Sequence, residues 1–386
     1  MATRRLSAFV VLAVLISLAF WNLVLTAKHV DLQNGADQAP FTLSEWKVNS
    51  TSLIITADDS TTSTLSQQTA PTPPSNLPKR NQPVSSITQQ NFRSLPKKRR
   101  PSPILDHVHV VYASDGPQYE EGCRQSVRSI FANTKWPKRI TIHIFVLNDD
   151  MARAFSQLQE DVRLSGGELV LHEYSFEEVE PFVNRHYDTE GHNLKAPGNY
   201  VRFILPRRLP DVQSCLWIDS DTIIRKDIFP FLAERDRTKA MSAFPRAPIM
   251  REIYIWQRIS VKLFGEQRNM HIYSFNAGIV VLHLEYWRQN NLADRVLEIC
   301  RLNDKFNLYP NYGSQPQLQA IFYAGLDYEA LPNLLVQHNL GWDESLYNSS
   351  RFEHALFLHW NGPRKPWMEN GLYKDLWQGL GYDKQQ

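Results

Sequence analysis

Leu216-Trp217-Ile218-Asp219-Ser220-Asp221-Thr222-Ile223-Ile224 is a short apolar run interrupted by two carboxylates. Its β-rich flanks read as one buried strand. Side chains alternate along a strand, so Asp219 and Asp221 are expected to project from the same side. Two hard anionic oxygens then stand close together. Burying such a pair is costly unless a cation compensates, and a divalent metal with a diphosphate attached is the candidate. The bare pattern says little, because 21 aspartates in 386 residues give roughly one Asp-x-Asp by chance. Its surroundings decide.

Working outward from that run, strands and helices alternate. Residues 107–112 read as a strand and 118–132 as an amphipathic helix. Residues 140–147 follow as a strand with Ile140, Ile142 and Ile144 on one face, then 151–164 as a helix and 168–172 as a third strand. A helix over 199–205, broken by Pro206, leads into the central strand. This alternation predicts parallel β-α-β units, hence an α/β fold with a central, mostly parallel sheet flanked by helices. Ligands in such sheets bind outside the carboxyl ends of strands, where Asp115, Asp219 and Asp221 fall. The second half is less regular: helices over 249–264, 285–302 and 315–324, and strands over 276–283 and 355–359.

The chain carries 42 basic and 40 acidic residues, a net charge of +2, so no global field argues for a nucleic-acid partner. Cys123, Cys215 and Cys300 exclude a disulfide scaffold, allow at most one internal bridge and lack metal-type spacing. Cys215 reads as a small buried hydrophobe. Arg4 and Arg5 precede an uncharged run over 6–27, long enough to span a bilayer. We expect a cytosolic tail over 1–5, a signal anchor over 6–27 and a lumenal remainder; a cleaved signal peptide is the alternative. Residues 28–103 are rich in Ser, Thr, Pro and Gln with little apolar periodicity, which predicts a disordered stem. Lys97-Lys98-Arg99-Arg100 ends a basic stretch that would read as a nuclear-import or nucleic-acid patch in another compartment. In a lumenal chain it reads as a solvated linker. Asn49-Ser50-Thr51 and Asn348-Ser349-Ser350 are glycosylation acceptors suited to that compartment. Residues 104–386 form the globular part.

Five motifs then stand in register: Ala113-Ser114-Asp115, Tyr200-Val201-Arg202, Asp219-Ser220-Asp221, Phe275-Asn276-Ala277-Gly278, and His359-Trp360-Asn361-Gly362-Pro363-Arg364-Lys365-Pro366-Trp367. In order and spacing the chain resembles glycosyltransferase family 8, the retaining family of glycogenin, bacterial lipopolysaccharide galactosyltransferases and plant galacturonosyltransferases. The resemblance covers about residues 104–380. Through the stretch from Leu308-Tyr309 to Gln317 and the His-Trp-Asn-Gly ending, it is nearest to the glycosyltransferase 8 domain-containing and galacturonosyltransferase-like branch. It implies a GT-A-type, Rossmann-like domain that binds a nucleotide sugar. It also implies retaining transfer from a UDP-sugar to a glycan or glycoprotein acceptor with Mn2+, in a single-pass type II protein of the Golgi membrane. A homodimer stays open.

In a family-8-like enzyme, Asp219 and Asp221 hold Mn2+ through oxygen and His359 completes the site through nitrogen, a mixed donor set that suits Mn2+ better than Ca2+. A satisfied strand-end histidine is the alternative for His359, and the Gly-x-x-Lys-Pro-Trp that follows favours the ligand. Gly362 implies close backbone approach to the diphosphate, and Lys365 a point charge on it. Asp115 and Tyr119 resemble the nucleoside contacts, Arg202 the arginine beside donor phosphate and sugar, and the Ser220 backbone a ribose contact. Asn276, Ala277 and Gly278 resemble the donor-sugar loop. The family often has an Asp-Gln pair where this chain has Gly313-Ser314-Gln315-Pro316; Gln315 is kept and the acid is not, which bears on the donor sugar. Asp219, Asp221, Lys365 and Gln315 are the catalytic candidates, with front-face displacement preferred because no carboxylate is placed as a sugar nucleophile. Two alternatives stand. A haloacid dehalogenase-like phosphatase would use Asp219 as nucleophile, but needs the motif on its first strand and a later acidic pair, whereas Asp58-Asp59 and Asp149-Asp150 both precede it. The other is a lumenal binding protein that has lost turnover.

Overall fold

The computed structural model describes residues 105–116, 119–184, 196–270, 272–309, 313–342 and 349–380. The tail, the run over 6–27 and the stem lie outside the described residues, among which no helix is long and apolar enough to cross a membrane.

The first half folds as its periodicity predicts. β1 (Val108–Ser114), β2 (Ile140–Val146) and β3 (Glu168–Glu173) pair in parallel. Val108, Val110 and Tyr112 meet Ile140, Ile142 and Ile144 in one apolar layer. Helix α1 (Glu120–Asn133) covers that layer with Cys123, Val127 and Ile130, one helical stripe. The buried Tyr112 hydroxyl, which needs a partner there, bonds the Ser126 hydroxyl at 2.9 Å. All three cysteines are free and buried, Cys215 among them, as its reading as a small hydrophobe requires.

Beyond β1 the sheet departs from the mostly parallel expectation. Its seven strands run in the order β3-β2-β1-β4-β7-β6-β8. Here β4 is Cys215–Ile218, β6 Met241–Arg246, β7 Ser274–Leu282 and β8 Glu329–Ala330. β4 lies parallel to β1, but β7 pairs antiparallel with both β4 and β6. A strand's apolar pattern sets which faces are buried and not which way the strand runs, so the reversal of β7, reached from β6 through helix α2 (Met250–Phe264), leaves no trace in the periodicity. The sheet is mixed.

A second correction falls on the opening stretch. Residues 216–224 are two strands, not one: β4 ends at Ile218, and β5 (Thr222–Ile224) belongs to a separate three-stranded sheet. That sheet has the order β5-β10-β9, with β9 Val336–Gln337 and β10 Phe357–His359. Pro206, expected to break a helix, instead sits in the first turn of the short helix Leu205–Arg208, where its missing N–H costs nothing. The helix expected over 285–302 divides into Leu284–Gln289 and Leu292–Phe306 at Asn291, which adopts a left-handed φ of 48°.

Candidate functional site

The site forms where the chain passes from one sheet to the other. Asp219, Ser220 and Asp221 make the turn between β4 and β5, so their convergence comes from that turn and not from strand alternation. The small sheet then brings in the third group. β10 runs antiparallel to β5 with His359 opposite Thr222, one residue from Asp221, and the Trp360 N–H donates to the Asp221 carbonyl at 2.8 Å. Trp360 fixes this register: it is fully buried, its indole N–H donates to the Leu372 carbonyl at 2.8 Å, and it meets Trp377 edge-on. From the large sheet, β7 continues its pairing with β4 so that the Asp219 N–H donates to the Gly278 carbonyl at 2.7 Å.

Asp219, Asp221 and His359 each offer a ligand atom, and the three atoms lie within 4.8 Å of one another. His359 Nε2 stands 3.1 Å from Asp221 Oδ1 and 4.0 Å from Asp219 Oδ2. Nε2 and Oδ1 are both buried and neither has a hydrogen-bond partner, a costly arrangement unless a cation lies between them. A Cβ on Gly278 would fall 2.5 Å from His359 Cε1 and 2.6 Å from Asp219 Oδ2, so the floor of the cradle admits only glycine without displacement. The residues present fit a divalent metal.

The surrounding charges are arranged on this cradle. Burial alone would raise the Asp221 pKa, but the Lys365 ammonium beside it overcomes this and holds the carboxyl well below the usual range. Lys365 Nζ bonds Asp221 Oδ2 directly and donates to the Trp360 carbonyl at 3.1 Å. Arg202 is buried against the Trp217 ring, 4.4 Å from its centroid, and donates to the Ala277 carbonyl at 2.7 Å. Burial pushes its guanidinium down to about 10, opposed by nearby Asp219. The Trp217 indole N–H donates to Asp219 Oδ1 at 3.0 Å, which leaves Oδ2 toward His359.

A cavity of about 150 Å3 opens beside the acid pair, lined among others by Asp115, Tyr119, Gly198, Ser220, Lys365 and Trp367. Asp115 Oδ1 accepts from the Tyr174 hydroxyl at 2.8 Å and the Gly198 N–H at 2.5 Å. Burial raises the Asp115 pKa, and these two donors oppose the rise.

With this geometry in place, the profile of glycosyl transferase family 8 matches residues 109–371, more than half of the chain. The chain belongs to glycosyl transferase family 8. It is 27% identical over 296 residues to probable galacturonosyltransferase-like 8 of Arabidopsis thaliana, covering 74% of this chain and 72% of that protein. It is 25% identical over 283 residues to human glycosyltransferase 8 domain-containing protein 2, covering 66% and 76%. The solved galactosyltransferase LgtC, in complex with donor and acceptor sugar analogues, superposes with a TM-score of 0.54 at 19% identity, over 71% of this chain and 95% of that one. That likeness shows a GT-A-like α/β fold.

Family 8 membership removes the dehalogenase-like phosphatase alternative. Of the residues that the family resemblance assigned, Asp219, Asp221 and His359 meet, and Asp115, Tyr119, Ser220 and Lys365 share the cavity. The others stand around the cradle. Asn276 Oδ1 accepts from the Gly278 N–H at 2.8 Å, and Gln315 Oε1 accepts from the Ala277 N–H at 3.3 Å. Gln315 also donates to the buried Glu252 of α2, so it braces the 276–278 segment from behind. Gly362 is demanded by packing: its φ is 134°, and a Cβ would lie 2.6 Å from the Gly341 backbone. Lys365, expected on a diphosphate, rests on the Asp221 carboxylate here, since an unpaired buried Asp221 would be costly. Sequence reasoning missed Tyr174, Gly198, Trp217 and His338. Trp217 stood inside the opening stretch; Tyr174 and His338 follow strand ends and Gly198 lies in the short helical segment Pro197–Phe203, and only the fold reveals their approach.

Proposed function

We propose that this chain transfers a sugar from a UDP-sugar to a glycan or glycoprotein acceptor with retention of configuration, using Mn2+. The observation that carries the reading is the convergence of Asp219, Asp221 and His359 beside a cavity that also holds Asp115. Asp219, Asp221 and His359 would hold the cation. When bound, it supplies Lewis-acid neutralisation of the charge on the departing diphosphate. The chain's own residues do the rest. Asp115 has Oδ1 filled by Tyr174 and Gly198, so its Oδ2 is the acceptor offered to a base N–H, with Tyr119 beside it. An ammonium has three donors; Lys365 directs two at Asp221 and Trp360, and the third is offered to a phosphate oxygen. Arg202 adds a fixed buried positive charge behind Asp219, and Gln315 and Asn276 shape the segment that faces the donor sugar.

Among the described residues, the cavity lining has no carboxylate besides Asp115, Asp219 and Asp221. With the last two on the cation and the first at the base, none is left as a sugar nucleophile, which supports front-face displacement by the acceptor. We extend the reading to a type II Golgi membrane protein, on the strength of the uncharged run over 6–27 behind Arg4 and Arg5 and of the two glycosylation acceptors.

Equilibrium binding of UDP, with Mn2+ and with chelator, tests the reading. UDP should bind only with the metal, Asp219→Ala should lose that binding while keeping its melting temperature, and a mass-spectrometric screen should find a UDP-sugar that the metal-loaded chain cleaves. Chelator-resistant UDP binding, or unchanged turnover in Asp219→Ala, would overturn it. Mn2+-dependent UDP binding with no cleaved donor would favour the version without turnover.

A further inference from the structure

Resting on that reading of the cradle, we propose that His338 is a positioning residue: it holds the His359 imidazole in the tautomer and ring orientation that present a bare Nε2 to a metal. The Nδ1 atoms of His338 and His359 lie 3.1 Å apart, and the rings cross at 62°. Two ring nitrogens at that distance share one proton, so one is bare. If His338 were the donor, the His359 proton would sit on Nε2, facing Asp221 Oδ1 at 3.1 Å. That tautomer would let His359 donate to Asp221 but would offer a cation no lone pair. If His359 is the donor, its Nδ1 proton goes to His338 and its Nε2 lone pair faces the two carboxylates, an arrangement that a cation completes. Metal-bound imidazoles generally donate their second N–H to such an acceptor, which fixes the tautomer.

The fold holds His338 in place independently of any ligand. β9 lies parallel to β10, which delivers His338 beside His359. The Leu340 N–H donates to the His359 carbonyl at 3.2 Å, and the Asn339 and Asn361 amides clasp at 2.8 Å. Gly341 packs so close that a Cβ there would lie 2.6 Å from the Trp360 carbonyl. Phe244 meets the His338 ring edge-on, centroids 6.2 Å apart.

The test is Mn2+ binding to the full-length chain in the presence of UDP, by titration calorimetry, for wild type, His338→Phe and His338→Asn. Phenylalanine keeps the aromatic contact with Phe244 and removes the acceptor, and asparagine restores an acceptor oxygen near the Nδ1 position. His338→Phe should bind Mn2+ about 10- to 100-fold more weakly, and His338→Asn should recover to within about threefold of wild type. In 15N-histidine spectra, His359 of wild type should carry its proton on Nδ1. Unchanged affinity in His338→Phe, or Asn binding no better than Phe, overturns the assignment. Should His338→Phe fail to fold, a wild-type spectrum with the His359 proton on Nε2 overturns it alone. Wild-type Mn2+ binding that Asp219→Ala abolishes and His338→Phe leaves untouched refutes the positioning role and spares the metal site; a wild type that binds no Mn2+ refutes both.

Discussion

Gly278→Ala adds one methyl group at the point where the two sheets meet. Gly278 lies in β7 and is not among the residues of positive φ, so alanine meets no backbone penalty. By restricting the unfolded chain it should even contribute about 0.4–1 kcal/mol of stability. Against this stands a steric cost. The added Cβ falls 2.5 Å from His359 Cε1 and 2.6 Å from Asp219 Oδ2, where ordinary contact begins at 3.4 Å, so something must move by nearly an ångström. His359 cannot yield readily: it is 1% exposed, paired through β10 and held at Nδ1 by His338. Asp219 is freer, with its side chain 38% exposed, but Trp217 holds Oδ1. Overpacking of this kind costs about 1–3 kcal/mol, so the net loss of stability should be modest, about 0.5–2 kcal/mol. The ligand set suffers more, because displacing a reacting group by about 1 Å costs on the order of a hundredfold, or about 2.7 kcal/mol. Calorimetric titration of Mn2+ with UDP, beside a thermal melt, separates the two effects: affinity should fall by roughly two orders of magnitude while the protein remains folded. Gly278→Ala with wild-type Mn2+ affinity would refute the placement of the cradle between His359 and Asp219.

Three further outcomes follow from the same geometry. Lys365→Ala leaves the buried Asp221 carboxylate without its ammonium, which should lower metal-free stability by about 3 kcal/mol and make Mn2+ restore more stability than it does in wild type; equal metal-free melting temperatures would contradict the pairing. Tyr174→Phe removes one donor to Asp115 and should weaken UDP binding by about 1 kcal/mol, roughly fivefold, in an isotherm taken with Mn2+; unchanged affinity would separate Asp115 from the base. Away from the site, His109, His143 and His172 run across β1, β2 and β3, bonded ring to ring at 3.0 and 2.9 Å. Burial pushes His109 down to about 4 and His143 to about 3, with neighbouring histidines adding to the drop, and it lowers His172 as well. The unfolded chain therefore takes up protons first as pH falls, and stability is lost from about pH 6.5 downward, by about 1–2 kcal/mol at pH 5 for His143 alone. Denaturant melts at pH 7.5 and 5 check this, and His143→Gln should flatten the difference.

What was legible in the sequence, and what was not, divides along a physical line. Ile140, Ile142 and Ile144, or Cys123, Val127 and Ile130, betray their elements because burial imposes a period of two or 3.6 on nearby residues. The identities of Asp219, Asp221, His359 and Lys365 were legible too, as motifs. Their geometry was not. The apolar flanks of the aspartates are equally apolar on both sides of the turn, so hydrophobicity alone cannot show that Ile218 and Thr222 belong to different sheets. Only pairing with β10, more than a hundred residues later, separates them. The same holds for Gly278, Gly341 and Gly362: each is glycine because a distant backbone or side chain comes within 3 Å, a constraint with no local signature. His338 is the extreme case, a polar residue just past a two-residue strand that acquires meaning through the parallel register of β9 and β10. The chemistry is thus assembled by the three-stranded sheet, the smallest and least periodic element of the fold. A substitution that weakens that sheet, such as Trp360→Ala, should therefore disturb the metal site more than one of equal size in the β1–β3 layer.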